Sequence, residues 1–155
     1  MLILLLLTAC HRPTSDLDRV LKDDPRNAGV AVSVDCKEVL SCDNLVFSVD
    51  GVTGSKLDVT RVFFQFAESQ EDTPYEKVIL ASKGENKFYV TGAYFKQVGS
   101  DYLTENSLYL LNHLPENVKN LDGTPAFETW GGGWLGVASK QIDDLNSLHD
   151  QWWLL

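Results

Sequence analysis

The side chains able to do chemistry are few and scattered. The 155-residue chain holds three histidines, His11, His113 and His149, and three cysteines, Cys10, Cys36 and Cys42. Structural metal sites need Cys or His repeated at close ligand spacing, and no such run exists, so no metal site is expected. Cys-x-x-Cys spacing, which would suggest redox chemistry, is missing. So is the Gly-x-Ser-x-Gly turn of a nucleophilic serine. Asp143, Asp144 and Asp150 beside His149 are the right types for general acid and base work. They fall between the apolar positions of a helical pattern, however, and a solvated polar face accounts for them. Glu68, Glu71 and Asp72 lack the alternating ligand spacing of a calcium loop and read as a surface turn. No catalytic residue and no cofactor is expected.

The segment that most invites a binding role is Trp130-Gly131-Gly132-Gly133-Trp134. Three glycines open backbone conformations closed to other residues and let another chain approach closely. Flanking tryptophans suit an aromatic clamp or the centre of a protein interface. The plainer reading is a glycine turn leading into a helix, with tryptophans sealing a core. The segment lacks the Gly-Lys-Ser/Thr ending of a phosphate loop. Trp130, Gly132 and Trp134 are the candidate binding residues. Trp153 joins them, because adjacent helical positions point about 100° apart and Trp152 already continues the apolar face.

Leu2 to Leu7 is an unbroken aliphatic run followed by Thr8, Ala9 and Cys10. The run is far shorter than the ~20 residues of a spanning helix and looks like a secretory signal. Leu7-Thr8-Ala9-Cys10 resembles the lipobox of bacterial lipoproteins. That resemblance covers ten residues and implies lipidation of Cys10, removal of residues 1–9 and a lipid anchor in the cell envelope. Two or three acyl chains, at about 0.8 kcal/mol per buried methylene, make a stable anchor. No Lys or Arg precedes the apolar run, which places the expected true start upstream. His11, where an Asp would resemble an inner-membrane retention signal, favours the outer membrane in a Gram-negative host. Export also brings an oxidising compartment, and Cys36 and Cys42 are then expected to pair as a disulfide.

Composition sets further bounds. At 44% hydrophobic and 23% charged residues the chain is expected to fold rather than stay disordered. Its length suits one domain. The formal charge of −9 argues against nucleic acid and against adsorption on anionic lipid through a basic patch.

The elements that must position these residues read as strands in the middle with helices at the ends. Residues 10–28 read as a tether and short helix, with Leu17, Val20 and Leu21 at helical spacing and Pro25 as a stop. Residues 29–155 read as one α+β domain. Period-two alternation predicts strands at Val30–Val34, Leu45–Val49 and Val62–Phe66, with a turn at Asp50-Gly51. Lys77–Ser82 and Lys87–Thr91 form the clearest hairpin, joined by Lys83-Gly84-Glu85-Asn86. Ser107–Asn112 fits strand or helix. Leu135, Ala138, Ile142, Leu145, Leu148 and Trp152 trace one apolar stripe of a C-terminal helix. The expected architecture is an antiparallel sheet of four to six strands covered by that helix and by the short N-terminal one.

Three functions fit this reading. The first is a non-enzymatic, membrane-anchored binding or assembly module with an envelope protein as partner. The second is a small envelope hydrolase using a carboxylate and a histidine. The third is a carrier enclosing a hydrophobic ligand in a cavity of ~300–1,000 Å³.

Overall fold

The computed structural model describes residues 13–155, and Cys10, His11 and the lipobox lie outside them. Helix α1 (Pro13–Asp23) comes first, with Leu17 buried in the core. Asp24 then caps a 3-10 turn, Pro25–Gly29, by accepting from the Arg26 N–H at 3.0 Å. Pro25 thus stops α1 as its ring geometry requires and starts a tighter turn. Asn27 ties this corner down. Its Nδ2 donates to the Val20 carbonyl (3.0 Å) and to Gln65 Oε1 (2.7 Å), while its Oδ1 accepts from Arg61 Nε (3.0 Å). The segment from Pro13 onward therefore belongs to the folded unit and not to a tether.

The fold is α+β. Among the described residues one sheet runs in the order β1 (Val30–Cys36), β2 (Asn44–Val52), β3 (Lys77–Ser82), β4 (Glu85–Thr91) and β5 (Lys119–Asn120). Neighbours are antiparallel except β2 and β3, which are parallel. A parallel pair needs a long crossover, and α2 (Lys56–Ser69) provides it. That helix replaces the strand expected at Val62–Phe66. Ser55 and Asp58 form a reciprocal capping box at its start, with Asp58 accepting from the Ser55 N–H at 2.8 Å. Its buried residues Val59, Val62, Phe63, Phe66 and Ala67 keep helical spacing. Five residues fit either period, and the longer window decides for the helix.

Asp50 and Gly51 lie inside β2 and do not form a turn. Ala31 pairs with Gly51 and Val32 with Val49, so Asp50 is the extra residue of a bulge. The true link between β1 and β2 is the loop 37–43, closed by the Cys36–Cys42 disulfide. The β3–β4 hairpin turns at Lys83-Gly84, both at positive φ, and β4 starts two residues earlier than expected.

Helices α3 (Gly92–Asp101), α4 (Ser107–His113) and α5 (Trp134–His149) follow. The undecided stretch Ser107–Asn112 is thus helical, with Asn106 Oδ1 accepting from the Leu108 N–H. Gly99 lets α3 lie on α2, since a Cβ there would sit 2.4 Å from the Ala67 carbonyl oxygen. A wide π-helical turn, Asp150–Leu154, ends the chain's helical course. The core is aromatic. Phe63 meets Phe47 edge-on at 5.3 Å and Trp152 at 6.0 Å, and Phe95 lies 5.4 Å from Phe63. The indole N–H of Trp152 donates to the Ala81 carbonyl at 2.9 Å, which fixes the chain's end onto the sheet.

Candidate binding groove

The sequence stripe on α5 is displaced in the fold. Gln141, Leu145, Leu148 and His149 are buried, while Leu135 and Ile142 are exposed. The reason is that α5 packs chiefly against α4 and the 3-10 turn Pro115–Asn117, while its π-helical extension packs against the sheet. The wider turn also changes the angle between neighbours, so Trp152 and Trp153 both point inward. Trp153 is 6% exposed, with its ring 4.7 Å from His149 and 5.2 Å from Trp152. It is not the peripheral contact residue expected from the sequence.

The first half of α5 behaves differently. Trp130 is fixed to it by two residues one turn apart. Its Nε1–H donates to Asp144 Oδ2 at 2.7 Å, and the Lys140 ammonium lies 4.1 Å from its ring centroid. Asp144 is therefore a positioning group for Trp130 and not part of an acid pair. After Trp130, Gly132 takes φ of +119°, a conformation that side chains disfavour. Gly133 then occupies the cap position without a side-chain hydrogen bond, and α5 begins at Trp134. Trp134 projects into solvent, 76% exposed. A Cβ added at Gly131, Gly132, Gly133 or Gly136 would meet no atom within 4 Å. Gly132 answers to its backbone conformation, and neither packing nor a positive φ gives a reason for glycine at the other three.

Between this loop and α4 lies an open groove of about 510 Å³, lined among others by Asn112, His113, Glu116, Trp130, Trp134 and Gln141. His113 stacks on Tyr109 with ring centroids 3.9 Å apart. Its Nδ1 lies 2.8 Å from the Tyr109 carbonyl, which can only accept, so Nδ1 carries the proton. In the neutral ring Nε2 is then an acceptor, 3.9 Å from Glu116 Oε1. On the α4 side, the hydrolase reading expects a pocket where His113 or His149 meets a carboxylate. His113 lies there with Glu116, whereas His149 does not, and Asn112 was not singled out because Ser107–Asn112 fits strand or helix. The His113 and Glu116 spacing, one turn apart, was the available signal.

His149 lies outside this groove, about 12 Å along α5 beyond Gln141, at 1.5 Å per residue. It is buried against α2, with Nε2 2.9 Å from Thr60 Oγ1. Burial, and secondarily the nearby Lys56 charge, pushes its pKa down to about 4. Asp150 pairs with Lys56, both half exposed. The acidic run of the last helix therefore gathers no site around His149. Among the described residues no group of three or more His, Cys, Asp or Glu side chains could hold a metal ion. Glu68, Glu71 and Asp72, at and just beyond the end of α2, make no such cluster.

Comparison with protein-family models, with curated proteins and with solved structures finds no match to this chain. Among the described residues no helix is long and apolar enough to cross a membrane.

Proposed function

We propose that this chain is a lipid-anchored binding module of the bacterial cell envelope, non-enzymatic, contacting an envelope protein through the groove at the start of α5. The observation that carries the binding role is Trp134, three-quarters exposed beside Gly131, Gly133 and Gly136, which neither packing nor a positive φ within the chain requires. A large aromatic held in water next to bare backbone suits a partner that packs closely. Trp130, fixed by Asp144 and Lys140, forms the rigid wall against which such a partner rests. The anchor rests on the lipobox resemblance at Cys10.

The test has two arms. Intact mass and membrane fractionation of the native protein, beside Cys10→Ser, report the anchor. Crosslinking in intact cells, followed by capture of native protein beside Trp134→Ala, reports the groove. The reading expects acyl mass lost in Cys10→Ser and one crosslinked envelope protein lost in Trp134→Ala. Equal crosslinking by native protein and Trp134→Ala would remove the groove from the account.

A second reading, a small hydrolase, keeps one support: His113 and Glu116 face one another on the groove wall. It expects a hydrolytic activity abolished by His113→Ala and little changed by Trp134→Ala. The carrier reading has no comparable support, because the groove is open and polar groups line one side of it.

A further inference from the structure

Six positions separate Cys36 from Cys42, and their disulfide closes a short loop at one end of the sheet. The polar side chains of that loop fold onto its own base. Glu38 accepts from the Asn44 backbone N–H (3.3 Å) and from its Nδ2 (2.7 Å), and Ser41 Oγ donates to Asp43 Oδ2 at 2.9 Å. Between them Val39 and Leu40 stand fully exposed. A covalent staple and side-chain hydrogen bonds thus hold in water the two groups that water least favours. Holding them there by a covalent staple lowers the ordering cost of any apolar contact they make.

The position of the tip says what it contacts. Asp16, in the first turn of α1, accepts from Gln70 Nε2 at 2.8 Å, and Gln70 Oε1 accepts from the Tyr75 hydroxyl at 2.6 Å. The next residue, Glu76, donates its N–H to the carbonyl of Asp43, at the base of the stapled loop, at 2.7 Å. The start of α1 and the loop therefore share the end of the sheet where β2 and β3 begin. Cys10 precedes Pro13 by three positions, a reach of about 11 Å even for fully extended chain. Any lipid on Cys10 leaves the domain at the end that carries Val39 and Leu40. A protein partner is a poor match for two side chains on a protruding loop, because specific protein interfaces bury upward of ~1,200 Å². A bilayer needs no matching shape and takes aliphatic groups singly.

We infer that the Val39-Leu40 tip is a second membrane contact, entering the bilayer that holds the Cys10 lipid and setting the domain's orientation on it. This rests on the lipid-anchor reading above. The test uses full-length protein from an envelope-processing host, its acyl chains read by intact mass, reconstituted in phosphatidylcholine vesicles with or without brominated chains. Leu40→Trp is compared with Leu103→Trp, an exposed site past the far end of α3, about 15 Å along that helix from Gly92, whose N–H donates to the Glu76 carbonyl at the loop's end of the sheet. Native emission is subtracted from each. With acyl chains present, the added Leu40→Trp emission is expected to shift to the blue and to be lost on brominated lipid, while that of Leu103→Trp keeps its aqueous position. An acylated protein whose Leu40→Trp emission is unquenched, or is quenched no more than that of Leu103→Trp, overturns the tip contact and leaves the anchor standing. A mass without acyl chains overturns both.

Discussion

His149 Nε2 and Thr60 Oγ1 lie 2.9 Å apart in the interior, joining the last long helix to the crossover helix. The ring is neutral there, with a pKa of about 4 against 6.5 for a free histidine. Between those values the unfolded chain takes up a proton that the folded chain refuses. Stability is therefore full above pH 6.5 and falls as the pH drops toward 4, by on the order of 3 kcal/mol in total. Urea unfolding at ~pH 7.5 and ~pH 4.5 should show a steeper loss for the native protein than for His149→Gln. Equal losses would mean that this histidine is not the group responsible.

The disulfide closes a loop of few residues, so its effect on the unfolded chain is modest. Loop-closure entropy for about seven residues gives roughly 2 kcal/mol. Cys36→Ala/Cys42→Ala, or reductant on the native protein, should lower the unfolding free energy by that amount while the far-ultraviolet spectrum persists. A loss above ~4 kcal/mol would show that the loop supports the sheet more widely than its position implies.

The tryptophans divide by role. Trp152 fills the space between Phe47 and Phe63 and donates to Ala81, so Trp152→Ala should cost about 3–5 kcal/mol. Trp134→Ala removes a ring that stands in solvent and should change stability by no more than ~0.5 kcal/mol. Thermal denaturation of the two variants side by side checks the contrast. Comparable destabilisation would mean that Trp134 is held by contacts within the fold.

Neighbouring glycines should respond in opposite ways. Gly132→Ala forces a side chain into φ of +119° and should cost about 1–3 kcal/mol. Gly131 has no positive φ and no neighbour near its absent Cβ, so Gly131→Ala should be neutral or stabilise by up to about 1 kcal/mol. Chemical denaturation of both variants is the measurement. A neutral Gly132→Ala would show that the turn relaxes freely.

Much of the fold was legible where local chemistry agreed with tertiary packing. The β3–β4 hairpin, α1 and the long last helix were read from periodicity and caps, and the α+β class followed from their order. The failures have separate causes. Val62–Phe66 alternates as a strand would, because a helix with aromatic residues on neighbouring positions mimics period two over five residues. Asp50-Gly51 has turn chemistry but serves a bulge, a choice made by the β1–β2 register. The position of Trp153 depended on a π-helical turn, which leaves no mark in a 3.6-residue pattern. At the groove, the Trp130–Trp134 segment was legible. On its opposite wall His113 was a candidate for meeting a carboxylate, but its partner Glu116 and its neighbour Asn112 reach the groove only through the packing of α4 on α5.

The burial of Trp152 also fixes the order in which this molecule can be completed. Until residue 152 has been made, the ring that fills the centre between sheet and crossover helix is missing, and the Ala81 carbonyl lacks its buried donor. A nascent chain, though it already contains every strand, has no finished interior to close upon. The interior between sheet and crossover helix is therefore complete only when residue 152 is in place.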